Sequence, residues 1–212
     1  MYLSSRLTTS HICFHVHDST AGIICSPQNV DLFGIFCNII QQFPIIERTL
    51  EGNSSRKLGV VGSAFDIQNG SALLTVFAPT NKAFERLVLP DNINIMNYND
   101  FTMEEKDVVR IIVNNHIYGN GMAKSFDDLV CNDRIKMHNG QYTQTRCYTN
   151  NKSITQKFQI GSASSAFGED NDDAVLSLYA PKIIGRDVLA RNGIVHAVNN
   201  VIVPNLEGFV SR

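Results

Sequence analysis

Residues 74–84, Leu-Thr-Val-Phe-Ala-Pro-Thr-Asn-Lys-Ala-Phe, contain a strand, a stop, a cap and the start of a helix. The apolar and β-branched run from Leu73 to Ala78 predicts a short buried strand, with Phe77 in the core. Pro79 stops the strand because proline cannot donate to a sheet ladder. Thr80-Asn81 can then cap a helix that Phe84 docks onto the core.

A second segment, residues 192–204, reads Asn-Gly-Ile-Val-His-Ala-Val-Asn-Asn-Val-Ile-Val-Pro and closes with Pro204. Asn192-Gly193 predicts a turn, and Asn199-Asn200 predicts a hairpin between two edge strands. His196 lies between apolar neighbours. We interpret it as a core histidine held by hydrogen bonds, since no serine or cysteine in a nucleophile-elbow context accompanies it.

Helical patterns dominate the first half of the chain and strand patterns the second half. Asp31–Leu50 has the apolar spacing of an amphipathic helix, with Asp31 as its N-cap and Pro44 ending or dividing it. Thr102–Glu105 has the pattern of a capping box before a second helix. This order predicts an α+β fold with helices packed on an antiparallel sheet. The later candidate strands are Ile135–Met137, Tyr142–Thr145, Phe158–Ile160, Ala174–Tyr179, Lys182–Ile184 and Ile194–Val203.

Together, residues 74–84 and 192–204 resemble the two signature boxes of the fasciclin (FAS1) domain family, in order and near the expected separation. Residues 111–118 resemble the middle box, with Asn115 in the place of an aromatic residue. The resemblance covers residues 28–206 and implies a FAS1-like twisted β-sandwich or wedge flanked by short α-helices. The residues with expected structural roles are Phe77, Pro79, Thr80, Asn81, Phe84, Asn192, Gly193, His196 and Pro204.

The length of 212 residues favours one domain with insertions. We expect a loosely structured leader over 1–24, a FAS1-like domain over 25–207 and a tail over 208–212. Residues 51–71 are rich in Gly, Ser and Asn and are predicted to be an insertion. No internal repeat is visible, so the chain does not read as a tandem pair.

The five cysteines match no paired CxxC zinc spacing. The segment between Cys131 and Cys147 predicts a hairpin around His138-Asn139-Gly140, which could bring the two thiols together. The alternative is a cytosolic protein with five reduced, buried thiols. The predicted bridges are Cys131 with Cys147 and Cys25 with Cys37, which leaves Cys13 over.

Three Asn-x-Ser/Thr sequons, at Asn53, Asn69 and Asn151, favour export and glycosylation. Residues 1–24 lack a continuous apolar signal core, so we expect either a start further upstream or an internal piece of a longer chain. No apolar run approaches the length that crosses a bilayer. Lys plus Arg (18) nearly balances Asp plus Glu (20), so the net charge of −2 creates no basic field for nucleic acid.

The resemblance implies an extracellular adhesion module and not an enzyme, with no cofactor and no metal. Such a module binds other proteins or matrix glycans weakly, and clustering or self-association strengthens adhesion. In animal matrix members, integrin recognition is assigned to the middle box and to an Asp-Ile pair before the last box. The matching positions here are His116 and Asp187-Val188.

A rival hypothesis is a small hydrolase or metal-dependent enzyme. It requires at least two acid–base groups to converge in one concave pocket. No P-loop, GxGxxG, GxSxG or HExxH pattern supports it. The candidate groups are His116, His138 and His196 with Asp127, Asp128 or Asp187.

Two further segments have weaker metal-binding patterns. In an extended strand, alternation would place the side chains of His11, Cys13, His15 and His17 on one face, where they could hold copper or zinc. An unstructured leader is the plainer interpretation. Phe167–Asp173 is interpreted as a solvated acidic loop, with a calcium site as the alternative, although it lacks the ligand spacing of an EF-hand.

Overall fold

The computed structural model describes residues 18–52, 73–89, 93–119, 122–149, 155–163 and 180–207. Within these ranges the chain has the predicted α+β character, with helices early and most strands late. Several predicted features lie outside the described residues. They are the His11–His17 cluster with Cys13, the sequons at Asn53, Asn69 and Asn151, most of the insertion 51–71, the acidic loop Phe167–Asp173, the strand Ala174–Tyr179 and the tail 208–212.

Proline and capping residues mark several helix boundaries in the described part of the chain. Pro44 divides the predicted helix Asp31–Leu50 into two, since it occupies the first turn of the second one. Asp31 is not the N-cap as predicted, because the helix begins one residue earlier and Asn29 precedes it. The capping box of Thr102 and Glu105 is confirmed. The α-helices are α1 (Thr20–Ile24), α2 (Val30–Gln41), α3 (Pro44–Glu51), α4 (Asn81–Glu85) and α5 (Met103–Asn114).

The strands of the described part form two sheets. The four-stranded sheet has the order β2-β1-β7-β6, and the three-stranded sheet has the order β3-β4-β5. An isolated antiparallel bridge pairs Phe158 of β5 with Lys182, which directly precedes β6. The strands are β1 (Leu74–Pro79), β2 (Ile117–Tyr118), β3 (Arg134–Lys136), β4 (Tyr142–Thr149), β5 (Thr155–Ile160), β6 (Ile183–Ala190) and β7 (Gly193–Val198).

The centre of the four-stranded sheet is a parallel pair, β1 with β7, in register from Leu74 opposite Gly193 to Pro79 opposite Val198. The prediction of a purely antiparallel sheet is therefore wrong at this pair. The predicted hairpin at Asn199-Asn200 is also wrong, because β7 ends at Val198 and lies between β1 and β6. Asn199 instead exchanges hydrogen bonds with Lys182, since its Oδ1 accepts from the Lys182 N–H and its own N–H donates to the Lys182 carbonyl.

The four-stranded sheet separates two apolar clusters. Alternate residues such as Val76 and Val195 face the helices and join the larger cluster. Phe77 and Val198 face the other way, into a cluster that contains Ile135 of the three-stranded sheet. The architecture is therefore a layer of helices, a mixed sheet and a second sheet.

The folded part of the chain begins earlier than the predicted boundary at Cys25. Helix α1 is buried, and the Thr20 hydroxyl donates to the Leu50 carbonyl at 2.7 Å. The Asn192 side chain ties this helix to the last hairpin, because its Oδ1 accepts from the Thr20 N–H and its Nδ2 donates to Leu50 O. The prediction of a loosely structured leader is thus wrong for residues 20–24.

Both predicted disulfides are confirmed. Cys131 and Cys147 have Cα atoms 5.5 Å apart and close the β3–β4 hairpin at its base. Cys25 and Cys37 have Cα atoms 5.1 Å apart and link the end of α1 to α2. The alternative of five reduced thiols does not fit this arrangement.

We expect removal of the hairpin bridge to lower the free energy of unfolding. The double variant Cys131→Ser/Cys147→Ser frees a loop of 16 residues, and closing a loop of that size is worth about 3 kcal/mol. Urea denaturation under non-reducing conditions measures the difference. Cys13→Ser is the matched control because it leaves both bridges in place, and equal midpoints for the two variants would contradict the expectation.

Gly193 is the position where the parallel pair tolerates no side chain. Its φ is +154°, and a Cβ there would lie against the carbonyl oxygen of Leu74. We expect Gly193→Ala to lower the unfolding free energy by about 3 kcal/mol or more, because backbone must move at the sheet centre.

Gly140 provides the comparison in the same urea experiment. It also has a positive φ, +85°, but open space surrounds its Cβ position. Gly140→Ala should therefore cost only about 1 kcal/mol, the strain of the left-handed conformation alone. An equal loss for the two substitutions would show that close approach of Leu74 is unimportant.

Candidate binding site

The first signature segment performs the structural roles predicted for it. Thr80 caps α4 by accepting a hydrogen bond from the Ala83 N–H, and the Phe84 ring stacks 6.1 Å from Phe36 of α2. Asn81, predicted only to cap its own helix, also forms hydrogen bonds with α2. Its Oδ1 accepts from the Ile35 N–H at 2.9 Å, and its Nδ2 donates to two carbonyls in the first turn of α2. Asn81 therefore joins α4 to α2.

His196 is a buried structural histidine, as predicted. Its Nδ1 accepts from the Asp187 N–H at 3.2 Å, so the proton of the neutral ring lies on Nε2. That Nε2 is 3.0 Å from the Lys124 carbonyl oxygen, to which it donates. Burial lowers the pKa of His196, although its bond to Lys124 O and the charge of Asp187 oppose the shift. Both ring nitrogens thus hold backbone groups of other segments.

Asp187 has an unusual backbone conformation next to His196. Its φ is +58°, in the left-handed region that aspartate tolerates better than most residues. It lies in an irregular part of β6, where the register to β7 shifts between Gly185 and Val188. The Oδ1 atom accepts from the Phe126 N–H at 2.7 Å, and the residue is exposed. The Asp187 carboxylate is therefore presented at a sheet edge in a defined position.

The partner of Asp187 in the predicted pair does not reach the surface. Val188 is only 4% exposed and belongs to the cluster beneath the helices. Of the two residues, only Asp187 can contact a partner without rearrangement of the edge.

His116 is fully buried and joins α5 to the C-terminal segment. The Ile202 N–H donates to its Nε2 at 2.9 Å, which leaves the proton on Nδ1, 2.8 Å from the Ile112 carbonyl. Burial lowers the pKa of His116 to about 4. The His116 side chain has no exposed surface for a partner to contact. A binding role for His116 remains an untested prediction.

Asn115, which replaces the aromatic residue of the middle box, has a structural role of its own. It is fully buried, and its Nδ2 donates to Ile202 O at 2.9 Å. Asn139 of the β3–β4 turn donates to Asn115 Oδ1 at 3.0 Å. Ile202 is consequently held through its N–H by His116 and through its carbonyl by Asn115.

Of the groups in the rival enzyme hypothesis, Asp187 and His196 are neighbours, joined through the Asp187 N–H, and the others are engaged elsewhere. His138 Nδ1 lies 3.0 Å from Asn114 Oδ1, and burial lowers the pKa of His138. Asp128 accepts hydrogen bonds from Ser125, and these lower the pKa of its carboxyl group. Asp127 is exposed in the same turn. His116 and His196 use both ring nitrogens on backbone groups, so neither offers a free basic nitrogen to a substrate.

No group of three or more His, Cys, Asp and Glu side chains that could hold a metal ion is found in the described ranges. Over the same ranges, no helix has the length and apolar character that would carry it across a bilayer.

Sequence reasoning missed the cations that surround the edge at Asp187. The Phe126 ring lies 4.8 Å from Lys157 Nζ and 4.8 Å from the Arg186 guanidinium. Lys157 is buried and also donates to the Phe126 carbonyl at 2.6 Å. Lys124 approaches the Tyr118 ring at 5.7 Å. No local pattern announces these pairs, because each one joins residues from different strands and loops.

These observations define a disulfide-linked α+β module whose histidines hold its backbone together. The chain matches the family described as Fasciclin domain over residues 57–204, more than half of its 212 residues. The chain belongs to the fasciclin domain family. Among solved structures it is similar to a FAS1 domain pair from the insect cell adhesion molecule Fasciclin I, at 21% identity and a TM-score of 0.42. That match covers 65% of this chain and only 41% of the other.

We expect acid to destabilise the fold through His116. Its pKa is about 4 when folded and 6.5 in the unfolded reference, so the unfolded chain binds the proton first as pH falls. Stability is therefore complete above about pH 6.5 and is lost on acidification towards pH 4, by about 2 kcal/mol at pH 5. Urea denaturation at neutral pH and near pH 5 measures the loss.

His116→Gln is the comparison for that titration. It is expected to be less stable at neutral pH, because the bonds to Ile112 and Ile202 are weakened. Its additional loss near pH 5 should be smaller than that of the unsubstituted chain, since the other histidines titrate in both proteins. Identical pH dependence would show that His116 is not the group responsible.

Proposed function

We propose that this chain is an extracellular adhesion module that contacts other proteins or matrix glycans and catalyses no reaction. The observation that carries the proposal is the exposed Asp187 at the β6 edge, whose carboxylate accepts from the Phe126 N–H and whose backbone N–H donates to the buried His196. Membership of the fasciclin domain family supports it. Fasciclin I, whose domain pair resembles this chain, is described as a cell adhesion molecule.

The extracellular location is supported by covalent chemistry. The bridges Cys25–Cys37 and Cys131–Cys147 persist in oxidising compartments and are rare in the cytosol. The sequons at Asn53, Asn69 and Asn151 would carry N-linked glycans in a secretory pathway.

The β6 edge has the chemistry of a modest contact surface. Beside Asp187, the apolar side chains of Ile184 and Leu189 are 54% and 65% exposed, and Arg186 is exposed next to the carboxylate. Apolar contacts flanked by one fixed charge can select a partner but bury little area. We therefore infer weak binding by one copy, strengthened when copies are clustered or repeated.

The test displays the full chain in clustered form. Biotinylated protein, produced through a secretory pathway and assembled on streptavidin, is applied to plates coated with decellularised matrix. We expect the tetramer to bind and the monomer to bind far more weakly. Asp187→Asn keeps the acceptor for the Phe126 N–H and the left-handed backbone but removes the charge. It should reduce tetramer binding by about fivefold or more, as loss of one direct charged contact would.

Asp107→Asn is the matched control, because Asp107 is an exposed carboxylate of α5 paired only with Arg110 in the described structure. It should change tetramer binding by less than about twofold. Failure of the tetramer to bind would overturn the adhesive role. Binding that is reduced equally by the two substitutions would overturn the assignment of the contact to Asp187.

A further inference from the structure

The β3–β4 hairpin has one face that neither the family assignment nor the Asp187 edge explains. Arg134 pairs across the strands with Gln144, and Lys136 pairs with Tyr142. Directly opposite residues share one face of a sheet, and every second residue of a strand returns to that face. We call this surface the outer face of the hairpin. Its members are Arg134, Lys136, Tyr142, Gln144, Arg146 and Tyr148.

The inward residues show which side of the hairpin faces solvent, whereas on β5 the same outer side is buried, at Ile160 opposite Gln144 and at Phe158 opposite Arg146. Thr143 and Thr145 are fully buried and bond to the Gln159 side chain at 2.7 Å and 2.9 Å. The outward tyrosines are accessible, since Tyr142 is 51% exposed and Tyr148 38% exposed. These two aromatic rings lie six residues apart along β4, so the outer face extends over about 20 Å.

The outer face is positively charged. Lys136 is exposed and Arg146 half-buried, and Arg134 begins β3 on the same side. None of its six members is acidic, although the chain as a whole has a net charge of −2. Arg146 lies diagonally across from Arg134, about 7 Å away, and Lys136 follows Arg134 by two residues on β3, so the three basic residues form one row about 14 Å long.

The hairpin holds this surface in a fixed geometry. Asn132, with a φ of +68°, accepts from Arg146 through its Oδ1 at 3.1 Å and from Gln144 through its carbonyl at 3.0 Å. The Cys131–Cys147 bridge closes the hairpin beside these contacts. Little conformational entropy is therefore lost when a ligand binds.

We propose that the outer face of the β3–β4 hairpin binds a sulfated polysaccharide. Guanidinium groups pair with tetrahedral oxyanions through two parallel hydrogen bonds, and ammonium groups bind them as point charges. Exposed tyrosines provide flat apolar surfaces for sugar rings and hydroxyls that bond to them. The closely spaced cations match a polymer with several sulfates on neighbouring rings better than one carrying carboxylates alone. This inference rests on the extracellular location proposed above.

The test uses the full disulfide-bonded chain on immobilised heparin at about physiological salt. We expect binding that weakens as salt rises, since ionic contacts are screened. Chemically desulfated heparin, which keeps its carboxylates, should compete at least tenfold less well. Lys136→Ala/Arg146→Ala should weaken heparin binding by about tenfold, which corresponds to about 1.4 kcal/mol.

Lys82→Ala/Arg110→Ala is the matched control, because it removes the same charge from exposed positions on α4 and α5. It should leave heparin binding within about twofold, as should Asp187→Asn, which separates this site from the β6 edge. Absence of heparin binding, equal weakening by both double variants, equal competition by desulfated heparin, or tighter binding of single-stranded DNA would each overturn the proposal. Thermal unfolding of every variant excludes a loss of fold as the cause.

Discussion

The parallel pairing of β1 with β7 is the constraint on which the rest of the structure depends. It places residues 74–79 beside residues 193–198, at the centre of the mixed sheet. Parallel neighbours cannot be joined by a tight turn, so a long stretch of chain separates them, and that stretch contributes β2 and β6 to the same sheet. The close backbone approach of Gly193 to Leu74 marks the start of this pairing. The two signature segments of the family therefore form one structural element, the parallel pair of β1 and β7.

Polar side chains, and not only apolar packing, fasten the outer segments to this centre. Asn192 joins α1 and α3 to the last hairpin, and Asn81 joins α4 to α2. His116 and Asn115 together bind both backbone groups of Ile202. Asn192, His116 and Asn115 are buried, Asn81 is half-buried, and all four have hydrogen-bond partners, as buried polar groups require. His116 and His196, which could suggest catalysis in the sequence, therefore have structural roles, because each holds backbone groups through hydrogen bonds.

Once the histidines are assigned to the interior, the contacts that we propose for partners lie on two separate surfaces of the described residues. One is the β6 edge with the fixed Asp187, and the other is the basic, tyrosine-bearing outer face of the β3–β4 hairpin. The first offers a single carboxylate beside apolar side chains, whereas the second offers several cations beside aromatic rings. A module with two such surfaces could hold a protein and a polysaccharide at once.

Local patterns in the sequence determined the strand and cap at residues 74–84, the capping box at Thr102, the hairpin between Cys131 and Cys147, and membership of the family. These features depend on residues close together in the sequence, whose strand, turn and capping preferences can be identified from the sequence alone. Only the tertiary structure decided that β7 is a central parallel strand, that α1 belongs to the core, and that Asp187 is exposed while Val188 is buried. Each of these depends on contacts between residues far apart in the chain, and no local preference specifies which distant partner wins.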